Sequence, residues 1–380
     1  MRIIVSGMIA GDPGQGGATW AVLQYVLGLR NLRHDVFLVE PVAAKSIRPD
    51  GARLSASTNA RYFHDVVRRF HLGHRASLLR EDSRETVGID YHELLRTAST
   101  TDLLINISGM LRDPQLLGAI GTRVYLDLDP AFNQLWHAVE GVNVGLEGHT
   151  HYVTVGNTIG TPGCRIPTCG KFWMSTLQPI VLAEWPMTAG RPNAAWTTIG
   201  NWRGYGSIEY AGTQFGQKAH SLRQFLAVPR RTSDRFVLAL AIHPGEVSDL
   251  GALAENGWCL VDPAAVAGTP ERYQSFIQGS KGEFGIAKSG YVASRCGWFS
   301  DRSVCYLASG RPVLAQDTGF TGVLPVGEGL MAFSTEDEVT AGLETINRDY
   351  ARHAKAARDL AVEYFDADRV LRRLITAVCA

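Results

Sequence analysis

Gly14-Gln15-Gly16-Gly17-Ala18-Thr19 stands directly after a short apolar stretch, residues 3–5, and directly before an amphipathic one. A turn built from such small residues lets backbone N–H groups and the positive end of the following helix come close to a phosphate or a sugar hydroxyl. A dinucleotide-binding loop would need the pattern G-x-G-x-x-G. Here Thr19 takes the third glycine position, although Glu40, at the end of the second apolar strand, stands where an acid could hold a ribose. The plainer alternative is that Gly16 and Gly17 only permit a tight strand-to-helix turn. Metal chemistry finds less support. Cys164 and Cys169 are the one close cysteine pair, no second pair stands near them, and His64, His71 and His74 do not share a helix face. The six cysteines include no Cys-x-x-Cys and read as reduced thiols. No metal is expected.

The elements that must position such a loop follow a repeated grammar. A length of 380 residues against roughly 100–200 per domain predicts two domains. Strands are expected at residues 3–5, 36–39, 103–107, 124–128 and 152–155, with helices around 59–70 and 114–120 between them, the alternation of a parallel sheet. Residues 183–195 carry two prolines, a glycine and no apolar periodicity, which marks an inter-domain connection. The grammar then restarts. Strands are expected at 197–199, 236–242, 258–261, 284–287 and 312–315, and helices at 218–226, 270–278 and 301–308. Two helices end the chain, 336–361 with a break near Asn347, and 366–378. The expected fold is α/β, two doubly wound Rossmann-like domains facing a central cleft: residues 1–185, a linker at 186–195, and residues 196–365. Ligands of such sheets sit at the carboxyl ends of the strands.

Bulk properties exclude several classes. The 37 Lys and Arg balance 37 Asp and Glu, so no long-range field draws nucleic acid or anionic lipid. The longest clean apolar run, residues 236–242, falls far short of the roughly 18–20 needed to span a bilayer, so no integral membrane segment is expected. The first residues lack the apolar core and cleavage site of a signal peptide, which gives a cytoplasmic expectation.

Gly16-Gly17-Ala18, the helix after it, and the strand in Asn31-Leu-Arg-His-Asp-Val-Phe-Leu-Val39 resemble the opening of GT-B-fold glycosyltransferases of bacterial type. In the second half, Asn201-Trp202-Arg203 after a strand and Lys218 at a helix start are similar to the Arg and Lys pair those enzymes place on the donor diphosphate. Gly297-Trp-Phe-Ser-Asp-Arg-Ser303, a helix, and Ser309-Gly-Arg-Pro-Val-Leu-Ala-Gln-Asp-Thr-Gly319 look like their nucleotide-sugar motif. The resemblance implies that Gly16, Gly17, Arg203 and Lys218 bind the donor. It also implies that Ser300 caps a helix whose first turn, with Ser303 and Arg302, faces the diphosphate. Asp317, Thr318 and Gly319 would contact the donor sugar or phosphate, and residues 366–380 would cross back to the first domain. Fixed cations in a dry cleft would stabilise the charge on the departing nucleoside diphosphate.

The sequence departs from the family at the two glutamates, eight residues apart, that many retaining members carry. Gly297 and Cys305 occupy those positions. Asp301 and Glu283 are the acids left in reach. Lys288 and Tyr291 read as much as a surface lysine and a half-buried tyrosine as pocket residues. Candidate bases on the acceptor side are Asp12, Asp129 and His149. The aromatics Phe172, Trp173, Trp185, Trp196 and Trp202 would stack on an acceptor or seal the hinge. What the resemblance implies is a metal-independent glycosyltransferase of hexosyltransferase type. Its co-substrate would be a nucleoside-diphosphate sugar, with no other cofactor. Its acceptor would be a small molecule or glycan, in secondary-metabolite or cell-envelope biosynthesis. The alternatives are a nucleotide-sugar epimerase of the same fold, a non-catalytic nucleotide-sugar-binding protein, and a dinucleotide dehydrogenase.

Overall fold

Two parallel sheets organise the computed structural model, which describes residues 1–379. The first is built from β1 (Arg2–Ser6), β2 (Asp35–Val42), β3 (Ala76–Arg80), β4 (Thr86–Gly88), β5 (Leu103–Ile107), β6 (Thr122–Asp127), β7 (His151–Thr154) and β8 (Trp173–Ser175). Their order is β4-β3-β2-β1-β5-β6-β7-β8, parallel except for the β3–β4 hairpin. In the second, β9 (Trp196–Asn201), β12 (Phe236–Ala241), β13 (Cys259–Leu260), β14 (Gly282–Gly285), β15 (Val313–Gln316) and β16 (Leu330–Phe333) run in the order β13-β12-β9-β14-β15-β16, all parallel. Between them in sequence, β10 (Ile208–Tyr210) and β11 (Thr213–Phe215) form a separate hairpin. Each sheet reverses its strand order at one place, between β1 and β5 and between β9 and β14. Those switch points open the crevices where such sheets bind ligands.

Central strands are apolar on both faces because helices cover both. Ile3, Val5, Leu103 and Ile105 are fully buried, with Ile3 in register with Val36 on one side and Leu103 on the other. The helix Gly16–Asn31 runs through Gly28 without a break. A Cβ at Gly28 would stand 2.5 Å from Leu371 Cδ1 and 3.0 Å from the Ala367 side chain, so the gap in the apolar stripe is where the last helix, Ala367–Cys379, lies down. Val370, Leu371, Leu374 and Val378 of that helix are buried there.

The chain passes between the sheets twice, side by side. Ile180 N–H donates to the Phe365 carbonyl at 2.7 Å and Ala367 N–H to the Ile180 carbonyl at 3.0 Å. The Pro-rich connection beyond this point is tied to the second sheet's helices. Arg358 holds the Trp185 carbonyl at 2.6 Å, and Arg311 reaches Thr188 Oγ1 at 2.6 Å and the Ala189 carbonyl at 2.8 Å. Gln274 takes the Glu184 carbonyl.

Helices Pro270–Gln278 and Asp301–Ala308 fall where the sequence expects them. The long terminal helix breaks at Asp349, which caps Tyr350–Leu360, two residues past the expected point. The helix expected at 218–226 is α-helical only over Lys218–Leu222 and continues as a 3-10 turn.

Candidate functional site

Between the switch points lies a cavity of about 710 Å³. The first domain contributes Gly14, Gln15, Gly17 and Ala18. The second contributes residues 199–201, 240–242 and 260–264, with Tyr273, Asp301 and Arg302. The helix Gly16–Asn31 starts at this wall without a side-chain cap, which leaves its first N–H groups unclaimed by side chains. Gly16 and Gly17 have a more immediate use. A Cβ on Gly16 would come 2.4 Å from the Thr269 carbonyl oxygen and 2.5 Å from that of Ala267, and one on Gly17 would come 2.9 Å from the Tyr273 ring. The double glycine thus seats the first domain's turn against the second domain, and Gly17 still lines the cavity.

Arg302 lines the cavity, with Glu283 and Lys218 buried behind it. Arg302 follows the cap Ser300, whose Oγ accepts from the Arg302 N–H at 3.2 Å. Its Nε donates to Glu283 Oε1 at 2.5 Å and its Nη1 to the Ile199 carbonyl at 3.0 Å, while its Nη2 makes no hydrogen bond among the described residues. Glu283 is wholly buried and its Oε2 has no partner. It faces Arg302, not the cavity, and so acts as the counter-ion beneath the cation. Lys218 is buried, its amine hydrogen-bonded among the described residues only to the Ile286 carbonyl, and adjoins Gly200, where a Cβ would stand 3.3 Å from Lys218 Cε. Burial holds its amine well below the ordinary lysine range, with Arg302 pushing the same way. Asp301 lines the cavity, and burial raises its carboxyl.

The other candidates lie elsewhere. Arg203 is exposed and paired with Glu246 at 2.6 Å, outside the lining set. Ser303 is buried beside β14 and β15, not at the cavity wall. Asp317 closes its own turn by accepting from Gly319 N–H at 2.9 Å, and Arg295 reaches it at 3.3 Å. Thr318 Oγ1 donates to the Trp298 carbonyl, and Gly319, at φ +95°, would put a Cβ 2.8 Å from the Arg295 carbonyl. The turn 317–319 therefore packs on the loop 295–298.

Of the candidate bases, Asp12 is exposed on the loop after β1. His149 has both ring nitrogens engaged, Nε2 with Asn106 Nδ2 at 3.0 Å and Nδ1 with the Leu146 carbonyl at 3.2 Å, and burial lowers its pKa. That leaves no free lone pair. Asp129 accepts from Tyr205 OH at 2.7 Å, Lys288 Nζ at 3.2 Å, and Tyr291 OH. This cluster joins the two domains at the carboxyl ends of β6 and β14. Lys288 Nζ also lies 4.2 Å from the Tyr205 ring and 4.9 Å from that of Phe132, and burial lowers its pKa.

Sequence reasoning missed Tyr273 and the Asp262 to Ala264 wall. The signals were present: Asp262-Pro263 and Thr269-Pro270 are cap-and-proline helix starts, and both caps form, at 2.9 and 3.3 Å. The dinucleotide alternative fails at Glu40. It is fully buried and accepts from the N–H groups of Ile9, Ala10 and Gly11, so no ribose can reach it.

Solved structures of similar shape place this architecture. An alpha-glucosyltransferase in complex with UDP-glucose and DNA containing an abasic site matches over 100% of both chains, with TM-score 0.61 and 12% identity. Anabaena HepE in complex with UDP and glucose matches 100% of this chain and 99% of its own at TM-score 0.59 and 11% identity. AviGT4, a glycosyltransferase involved in avilamycin A biosynthesis, matches 100% and 97% at TM-score 0.56 and 12% identity. No family model matches the chain, and no curated protein matches it in sequence. The chain has the GT-B fold, two Rossmann-like domains about a cleft. No helix among the described residues is long and apolar enough to cross a membrane.

Proposed function

We propose that the protein is a glycosyltransferase that takes a hexosyl group from a UDP-sugar bound in the cleft cavity. The observation that carries this reading is Lys218, a buried amine that makes no ion pair among the described residues and stands behind Gly200 of the cavity wall, beside an Arg302 whose Nη2 is unclaimed there. A buried cation without a counter-ion is costly, and a diphosphate supplies the missing charge. When the sugar leaves, negative charge grows on the departing phosphate. Arg302 and the uncapped start of Gly16–Asn31 already face the cavity, with Lys218 just behind its wall, so little reorganisation is needed. Those groups supply the positive field a divalent ion would otherwise provide, which supports metal-independent transfer. Asp301 and Asp262 are the cavity carboxyls available to accept from hydroxyls of the donor. Asp129 is the base candidate with a place between the domains; to take a proton it must first exchange Lys288 and the two tyrosines for the acceptor hydroxyl.

The similar structures support the uracil nucleotide, since UDP appears in the alpha-glucosyltransferase and HepE complexes. They do not share an acceptor: one complex contains DNA, and AviGT4 serves antibiotic biosynthesis. The balance of 37 basic and 37 acidic residues favours a small-molecule or glycan acceptor over nucleic acid. Nothing in the cavity favours epimerisation. The test is calorimetric titration with UDP in buffer containing EDTA, with GDP and TDP for comparison. Saturable heat with UDP is expected; no heat with any of the three at millimolar concentration overturns the reading.

A further inference from the structure

The loop that carries Gly14 and Gln15 to the cavity is held from below by two side chains, Glu40 and Asn59. Glu40, near the end of β2, places its carboxylate against three consecutive N–H groups: Ile9 at 2.9 Å, Ala10 at 2.7 and 2.9 Å, and Gly11 at 2.6 Å. Asn59 completes the grip by donating to the Ala10 carbonyl at 2.7 Å, and is itself fixed by accepting from Arg48 N–H at 2.8 Å. Glu40 is wholly buried, and no ion pair among the described residues includes it. Its charge is therefore compensated by the loop alone. Burial pushes its carboxyl up to about 7 against the pull of the three N–H groups. An anchor meant only for stability would not need a buried charge, whose desolvation works against folding. What the charge adds is geometry: three donors converge on one carboxylate only when the loop takes a single path. Four residues further on, that path sets Gln15 and the Gly16 seat against Thr269.

We infer that Glu40 is a positioning residue for the donor, holding the first domain's loop so that Gly14, Gln15 and the start of the helix Gly16–Asn31 meet the diphosphate and sugar. The inference rests on the glycosyl-transfer reading. In the test, full-length wild type, Glu40→Gln and Glu40→Asp are compared by amide hydrogen exchange, thermal unfolding, and affinity for UDP and for uridine. Glu40→Gln keeps one oxygen for the three N–H groups, which converge on Oε1, but removes the charge and sets an N–H₂ against Ala10 N–H where Oε2 stood, and so should exchange faster at residues 9–15 and lose about tenfold or more in UDP affinity. Its affinity for uridine, which has no phosphate for the loop and helix start to meet, and its thermal midpoint should stay near wild type. Glu40→Asp, which keeps the charge but falls short by one methylene, should lie between. Equal UDP affinity in wild type and Glu40→Gln overturns the inference while leaving the glycosyl-transfer reading intact. Parallel losses for UDP and uridine also overturn it, since they mark a general fold defect. Wild type that binds no UDP refutes that reading, and this inference with it.

Discussion

Lys218 carries the sharpest conflict between stability and function. Burial disfavours its charged form, so its pKa in the folded chain lies below that of the unfolded chain. The sign follows from linkage: below the folded pKa the chain must bury a charge, and stability rises as pH climbs through that value towards the ordinary lysine range. Lys218→Met removes the charge while keeping the stem's shape. The free variant should therefore unfold at a higher temperature than wild type at neutral pH. UDP affinity should move the other way, falling by about 1.5–3 kcal/mol, the usual worth of a hydrogen bond to a charged group, while uridine binding holds. Scanning calorimetry with and without UDP reads both effects. A variant with a lower midpoint and unchanged UDP affinity would mean that Lys218 braces the fold. Arg302 offers no such clean test, because its removal strands the buried Glu283.

Among the elements, Gly28 shows how far the sequence could be read. It looks like a flaw in an amphipathic helix, and only the structure shows that the last helix needs the gap. Gly28→Leu should push Ala367–Cys379 away and destabilise the chain by about 1–3 kcal/mol, measured by denaturant unfolding, with UDP affinity in the folded fraction unchanged. Some elements with a cap or a proline were legible, since Thr269 and Ser300 fix the starts of Pro270–Gln278 and Asp301–Ala308, while the helix Pro263–Ala267 behind Asp262 and the apolar strand Leu330–Phe333 carried like signals and were missed. The three-residue strands β4, β8, β10 and β11 are too short to show a period of two, and none was anticipated. The site divides in the same way. The turns at Gly14–Gly17 and Ser300–Arg302 announced themselves by glycine and helix-start chemistry. The pairs Arg302–Glu283 and Lys288–Asp129 did not, because partners 19 and 159 positions apart meet only through the topology. The linker itself is held: Arg311, Arg358 and Gln274 tie its backbone to the second domain.

At the scale of the whole molecule, the cleft is bridged on both flanks. On one, Trp20 Nε1 donates to the Pro270 carbonyl at 2.9 Å beside the Gly16 seat. On the other, Thr158 N–H donates to the Cys296 carbonyl at 3.1 Å, Asn157 Nδ2 reaches the Gly297 carbonyl at 3.1 Å, and Asp129 holds Lys288. A chain already drawn together in this way has little closing left for a nucleotide to cause, so UDP should leave the radius of gyration of wild type unchanged in small-angle scattering. Asp129→Ala should open it. The variant leaves the Lys288 amine among aromatic rings without its carboxylate. The cost is roughly 3 kcal/mol, at the low end for a broken pair because 23% and 25% of the two side chains stay in contact with solvent. Opening returns the amine to water. Because burial lowers the amine's pKa in the closed form, closing releases a proton, and alkaline pH favours closure. The expansion of Asp129→Ala should therefore be largest near neutral pH and shrink as the pH rises towards the ordinary lysine range. An Asp129→Ala variant as compact as wild type at pH 7, or one that expands further at alkaline pH, would show that Lys288 and Asp129 do not hold the domains together.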